Sequence, residues 1–181
     1  GWGFLPFLLV GAFFVTGYTD ALARVGVGEV AAGLGLGGLA VSGTAFVQEG
    51  SLGPAAVWAS VPAFLMTFNL LLLNEFPDEA ADRKGGRRNL VLILGRRAAA
   101  WVYALAGLLV PAWILAGVLA EVLPGWSLLG ALPSLLLTPP LRWALTRPDE
   151  AVPLPALGAN VNWDLGTNTL LGVGLFLAAF L

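Results

Sequence analysis

A chain of 181 residues that is 58% hydrophobic and 11% charged, with net charge −2 and neither cysteine nor histidine, is already confined to few classes. Soluble domains carry about 25% charged residues and need polar groups on the surface they leave in water, so a mean hydropathy of +0.86 points to lipid. Without a basic face no nucleic-acid partner is expected, and without Cys or His no disulfide, thiol nucleophile, Cys/His zinc site or Ser-His-Asp triad can form.

A bilayer core of roughly 30 Å needs about 20 mainly apolar residues per helix. Runs of that kind predict an all-α, polytopic membrane helical bundle of about six transmembrane helices, one unit over residues 1–181. The first, Trp2 to Gly17, is a little short for a span. It opens at Gly1 inside the apolar run, with no basic stretch before it as a signal peptide would have, so the chain is expected to start partway through a larger protein. The second, Gly28 to Val47, contains Gly33, Gly35 and Gly38 in a GxGxxG pattern, but no strand precedes it as a dinucleotide site requires. Gly33 and Gly37 are read instead as a GxxxG pair that lets two helices approach closely.

The third run, Pro54 to Asn74, ends in a long polar break, and Arg97 to Ala120, Gly125 to Leu145 and Pro155 to Leu181 follow. Pro111, Pro133, Pro139 and Pro140 are expected to kink their spans. The last run holds Asp164 beside Asn160, Asn162, Thr167 and Asn168. At that depth a carboxylate should face the bundle or water, either for function or within an interhelical amide network. Tyr18, Trp58, Phe68, Tyr103 and Trp163 are candidates to face an internal cavity, against the alternative of interfacial or lipid-facing anchors.

The positions of the basic residues test these runs independently. All nine lie in or beside the first, third and fifth breaks, and the second and fourth breaks hold none. A six-helix serpentine puts the odd breaks on one side, which the positive-inside rule makes cytoplasmic. Residues 75–95 are thus expected in the cytoplasm, and both chain ends on the opposite side.

The third break carries the chemistry. The stretch Asn74-Glu75-Phe76-Pro77-Asp78-Glu79-Ala80-Ala81-Asp82-Arg83-Lys84-Gly85-Gly86-Arg87-Arg88-Asn89 holds four of the eleven acidic residues and, with Arg96 and Arg97, six of the nine basic ones. On a helix leaving the third span, Asn74, Asp78 and Asp82 recur every four residues and share a face. Like charges so spaced destabilise a helix, which calls for a cation; Mg2+ takes oxygen ligands and usually binds through one or two carboxylates plus substrate phosphates. The Arg/Lys cluster that follows suits a diphosphate, and Gly85 and Gly86 permit a tight turn. The competing reading is a solvated loop whose basic residues only set topology.

The run NEFPDEAADRKGGRRNLVLILG resembles the second aspartate-rich motif of the UbiA superfamily of intramembrane prenyltransferases. Its NxxxDxxxD core, Gly86 and the basic pair after it are most similar to the branch that prenylates 1,4-dihydroxy-2-naphthoate. Tyr18-Thr19 and Gly26-Val27-Gly28-Glu29 resemble that branch's YT and GLGE elements. The resemblance implies a fold of about nine helices, of which these six look like the fourth to ninth. It also implies transfer of a polyprenyl group from a polyprenyl diphosphate to an aromatic acceptor in menaquinone biosynthesis, in a bacterial or archaeal cell membrane.

Asp78 and Asp82 would be the catalytic Mg2+ ligands, and Asn74, Lys84, Arg87, Arg88 and Tyr18 the diphosphate-binding residues. Glu29 matches a family position, although a helix start favours a carboxylate in any case. The family's first aspartate-rich motif, NDxxDxxxD-like, is not in this sequence and is expected upstream of Gly1, so the 181 residues alone are expected to be inactive. Asp20, Ala21 and Leu22 also stand where the family has prolines and a tyrosine. Other acceptors in the same fold, among them 4-hydroxybenzoate, homogentisate, haem or a glycerol phosphate, and a non-catalytic transporter or scaffold, are the alternatives.

Overall fold

The computed structural model describes residues 2–180, and of the Tyr18-Thr19 element only the tyrosine side chain is among the described groups. Gly1 and Leu181, at the ends of the first and last apolar runs, lie outside the description. No strand occurs among the described residues. In chain order the helices are α1 (Trp2–Gly17), α2 (Gly28–Glu49), α3 (Pro54–Lys84), the short α4 (Leu90–Leu94), α5 (Arg96–Leu119), α6 (Gly125–Thr146) and α7 (Leu154–Phe180). Five of them, α2, α3, α5, α6 and α7, are long and apolar enough to cross a membrane, and α1 is apolar but shorter.

Helix α3 is the axis, packing against α2, α5 and α7. Its 31 residues span about 46 Å at 1.5 Å per residue, well beyond a roughly 30 Å hydrocarbon core. The apolar part is used up by Leu73, so the end that carries Asn74 to Lys84 extends past it. Two buried clusters line the axis: Leu65, Met66, Val110, Ile114, Leu137 and Trp163 around its middle, and Phe68, Leu72, Phe76, Tyr103 and Trp143 toward its polar end. Toward the other end Trp58 and Trp113 stack with ring centroids 4.5 Å apart, each indole N–H donating to the other's carbonyl at 3.1 Å. Leu105, Leu108, Leu119 and Leu135 point outward and exposed, a liability in water that lipid removes.

Gly33 and Gly37 do make a packing contact: a Cβ on Gly37 would stand 2.3 Å from the Ala63 carbonyl oxygen, and one on Gly33 2.8 Å from the Phe64 ring. Here α2 widens into a π-helical stretch, Gly33–Gly38. A second π-helical stretch, Tyr18–Leu22, carries the chain onward from α1 where a break was expected, and helix persists to Val25 before Gly26 ends it at φ +87°.

Two prolines differ from expectation. Helix α6 is a 3-10 helix over Gly125–Leu137 and turns α-helical at Thr138. Pro139 and Pro140 sit in the first turn of that α-helical part, where a missing N–H costs little, and so begin a helix instead of kinking one. Pro111 and Pro133 lie inside their helices.

The first, third and fifth breaks meet at one end. The Arg88 N–H donates to the Ala23 carbonyl at 2.9 Å. The Arg96 guanidinium donates to the carbonyls of Phe76, Pro148 and Glu150 and to Glu79 Oε2.

Candidate active site

Helix α3 continues through the polar segment because only Pro77 interrupts its helix-forming residues, and Glu79 pairs with Arg83 one turn on at 3.3 Å. It stops at Gly85-Gly86, where Gly86 takes φ +72°, a region that a side chain disfavours. Arg87 N–H then donates to the Asp82 carbonyl at 3.0 Å, folding the chain back along the helix. Asn89 is extended and caps α4, its Oδ1 accepting from Leu92 N–H at 2.9 Å.

This reversal brings two arginines beside the carboxylates. A polar pocket of about 50 Å3 is lined on one side by Asn74, Glu75, Asp78 and Asp82 and on another by Arg87, Arg88 and Asn89. Tyr18, Ala23 and Gly28 close it. Asp82 is 12% exposed; its Oδ1 lies 3.6 Å from Arg87 Nη1, and its Oδ2 accepts from Asn89 Nδ2 at 2.9 Å. Asn74 turns its amide N–H toward Leu70 O at 2.8 Å. Burial first, and then the charge of Glu75, raises the Tyr18 phenol above its usual range, so it stays a hydroxyl.

Six of the seven residues expected at the site therefore line one pocket: Tyr18, Asn74, Asp78, Asp82, Arg87 and Arg88. Lys84 does not line it. Two residues beyond Asp82, it points about 200° around the helix and is exposed. Glu29 was ambiguous in sequence between a motif position and an ordinary helix start. It is fully buried, and its Oε1 accepts from Leu90 N–H at 2.5 Å, across 61 residues of chain, so it binds another element and not its own helix.

Asn89 and Glu75 were missed. Asn89 carried a readable signal, an amide residue directly before the apolar run Leu90–Leu94. Glu75 carried none, since only packing buries it.

A second cavity, about 620 Å3 and almost wholly apolar, lies between α1, α2 and α3. Phe14, Ala31, Gly35, Leu36 and Leu70 contribute to its walls, and Tyr18, Leu71 and Asn74 line both it and the polar pocket. Of the aromatic candidates, Tyr18 lines both cavities. Tyr103 and Trp163 are completely buried in the core instead of anchored at an interface, Phe68 is buried in the same cluster as Tyr103, and Trp58 is stacked on Trp113. Tyr103 donates to Asn160 Oδ1 at 2.7 Å. Asp164 accepts from Asn168 Nδ2 at 2.7 Å within its own helix, so the amide network it was expected to share between helices is made by Tyr103 and Asn160 instead.

Among the described residues no group of three or more acidic side chains is placed to hold a metal. Asp78 and Asp82, with arginines beside them, fit a Mg2+ that arrives with phosphate oxygens as its other ligands, not an ion caged by protein alone.

Residues 1–166 match the UbiA prenyltransferase family. The chain is similar to the 1,4-dihydroxy-2-naphthoate octaprenyltransferase of Escherichia coli (strain K12), 29% identical over 183 residues, which is 97% of this chain and 59% of that protein. It is also similar to the enzyme of the same name from Bacillus subtilis (strain 168), 24% identical over 114 residues, 63% of this chain and 37% of that one. The chain thus spans little more than half the length of either relative at most. No solved structure matches.

Proposed function

The chain belongs to the UbiA prenyltransferase family, and from that premise we propose that it forms part of an integral-membrane enzyme that moves a polyprenyl group from its diphosphate to 1,4-dihydroxy-2-naphthoate. The observation that carries this reading is the pair of joined cavities: an apolar one of about 620 Å3 meeting a charged one across Tyr18, Leu71 and Asn74. That is the shape of an amphiphile with a long apolar tail and an anionic head. The choice of acceptor rests on the names of the two relatives.

In the reaction the allylic C–O bond breaks with its electron pair leaving on the diphosphate, and an acceptor ring carbon bonds to the freed prenyl carbon. The ring then restores aromaticity by losing a proton, and with the naphthoate the carboxylate leaves as CO2 while a proton takes its place on the ring carbon. Arg87 and Arg88 are assigned to the diphosphate oxygens, where fixed positive charge lowers the barrier to its departure. Asp78 and Asp82 would hold Mg2+, which supplies further neutralisation of the leaving group when bound. Tyr18 and Asn74 are assigned the head end of the chain, at the join of the cavities. The apolar walls keep water from the developing carbocation.

The charged end is assigned to the cytoplasm by its excess of basic residues. The test is Asp78→Asn and Asp82→Asn in the protein as its gene encodes it, assayed for prenyl transfer to 1,4-dihydroxy-2-naphthoate and, for comparison, 4-hydroxybenzoate. Each variant should lose about 100-fold or more in turnover while its thermal melt stays near wild type. Full transfer by both variants would overturn the site, and preference for 4-hydroxybenzoate would overturn the acceptor.

A further inference from the structure

Asp82 is a pocket carboxylate whose orientation the structure specifies from outside its own helix. Its Oδ2 is engaged by Asn89 Nδ2 at 2.9 Å, which leaves Oδ1 toward Arg87. Asn89 is itself only 4% exposed and is held at both ends of its amide, since its Oδ1 caps α4 through Leu92 N–H. The next residue is pinned as well: Leu90 N–H donates to Glu29 Oε1, from a side chain with no exposed surface. The residue before it donates its N–H to the Ala23 carbonyl at 2.9 Å. Residues 88–90 therefore form a splint, fastened at Ala23 and at Glu29 on α2, with its free amide hydrogens on one oxygen of Asp82.

We propose that Asn89 is a positioning residue for Asp82, presenting Oδ1 alone to the pocket, and that Glu29 anchors the splint from which Asn89 acts. The inference rests on the reading of Asp82 as a ligand to a diphosphate-borne divalent cation. Its logic is that of outer-shell partners in metal sites, which fix a ligand's orientation and whose loss lowers metal affinity about 10- to 100-fold.

Serine is as good an N-cap as asparagine but too short to reach Asp82, so Asn89→Ser separates the two roles of the amide. The probe is Mn2+ with inorganic pyrophosphate, its binding to the purified full-length protein followed by the Mn2+ electron paramagnetic resonance signal. Asn89→Ser should melt near wild type and bind about 10- to 100-fold more weakly. Added to Asp82→Asn it should cause no further loss, because a residue that acts through Asp82 has nothing left to position. Wild-type binding by Asn89→Ser, or additive losses in the double variant, would overturn the inference while leaving the site intact. Unchanged binding by Asp82→Asn would overturn the reading of the site itself.

Should Asn89→Ser fail to fold, the decision passes to Glu29. Glu29→Gln keeps an acceptor for Leu90 N–H and should bind as wild type, whereas Glu29→Leu should weaken binding. A well-folded Glu29→Gln that binds as poorly as Glu29→Leu would mean that Glu29 acts through its charge and not as an anchor.

Discussion

Gly86 shows how much a single residue decides at this site. Its φ of +72° ends α3 and turns the chain so that Arg87 and Arg88 come back beside Asp78 and Asp82. Gly85, also expected to serve the turn, has an ordinary helical φ of −76°. The basic residues nearby are consequently unequal, although the sequence presents them as one cluster. Arg87→Ala should raise the KM for the polyprenyl diphosphate about tenfold or more, the loss of one charge-assisted contact. Lys84→Ala, on the far side of the helix, should change it by less than about twofold, since an exposed and distant charge is screened. Steady-state kinetics of the two variants side by side check this, and equal losses would mean that Lys84 reaches the substrate after all.

At the scale of elements, the small residues of α2 set how close it lies to α3, and that spacing shapes the apolar cavity between them. A methyl group on Gly37 would meet the Ala63 carbonyl oxygen at 2.3 Å, against backbone that cannot rotate away. Gly37→Ala should therefore destabilise by about 1–3 kcal/mol through overpacking. On α7, nothing lies within 4 Å of a Cβ at Gly172, and Gly172→Ala should be neutral or slightly stabilising, because alanine is the better helix former by up to about 1 kcal/mol. Melting followed by tryptophan fluorescence in lipid nanodiscs would show the contrast. The two π-helical stretches belong to this scale as well, since one of them carries Tyr18 to the join of the cavities.

For the whole molecule, the polar ends of the helices must be gathered before any site exists, and Arg96 does much of the gathering. One guanidinium, 21% exposed, ties the Phe76 carbonyl and Glu79 on α3 to the carbonyls of Pro148 and Glu150 between α6 and α7, and lies 5.3 Å from the centre of the Phe76 ring. Arg96→Ala leaves several of these acceptors unpaired and should cost on the order of 2–3 kcal/mol. Arg96→Lys should recover only part of that, because an ammonium cannot reproduce the planar fork. Thermal melts of the two variants test the ranking, and an Arg96→Lys protein as stable as wild type would show that charge alone suffices.

What the sequence determined by itself was whatever depends on composition and near-neighbour spacing. The lipid environment followed from charge scarcity, the helical runs from bilayer thickness, the meeting of the odd breaks from the distribution of nine basic residues, and the shared face of Asn74, Asp78 and Asp82 from a spacing of four. Tertiary structure alone decided which side chains have partners far along the chain. Glu29 and Leu90 are 61 residues apart, and Tyr103 and Asn160 are 57 apart. No local pattern distinguishes Trp163, buried in the core, from a tryptophan at the interface, because in a chain this apolar both are one hydrophobic residue among many. The polar pocket was largely legible because most of its residues are on consecutive turns of one helix and the loop that follows, with Tyr18, Ala23 and Gly28 added by the fold. The splint behind it was not, because a buried hydrogen bond between distant segments leaves its trace only when the bundle closes.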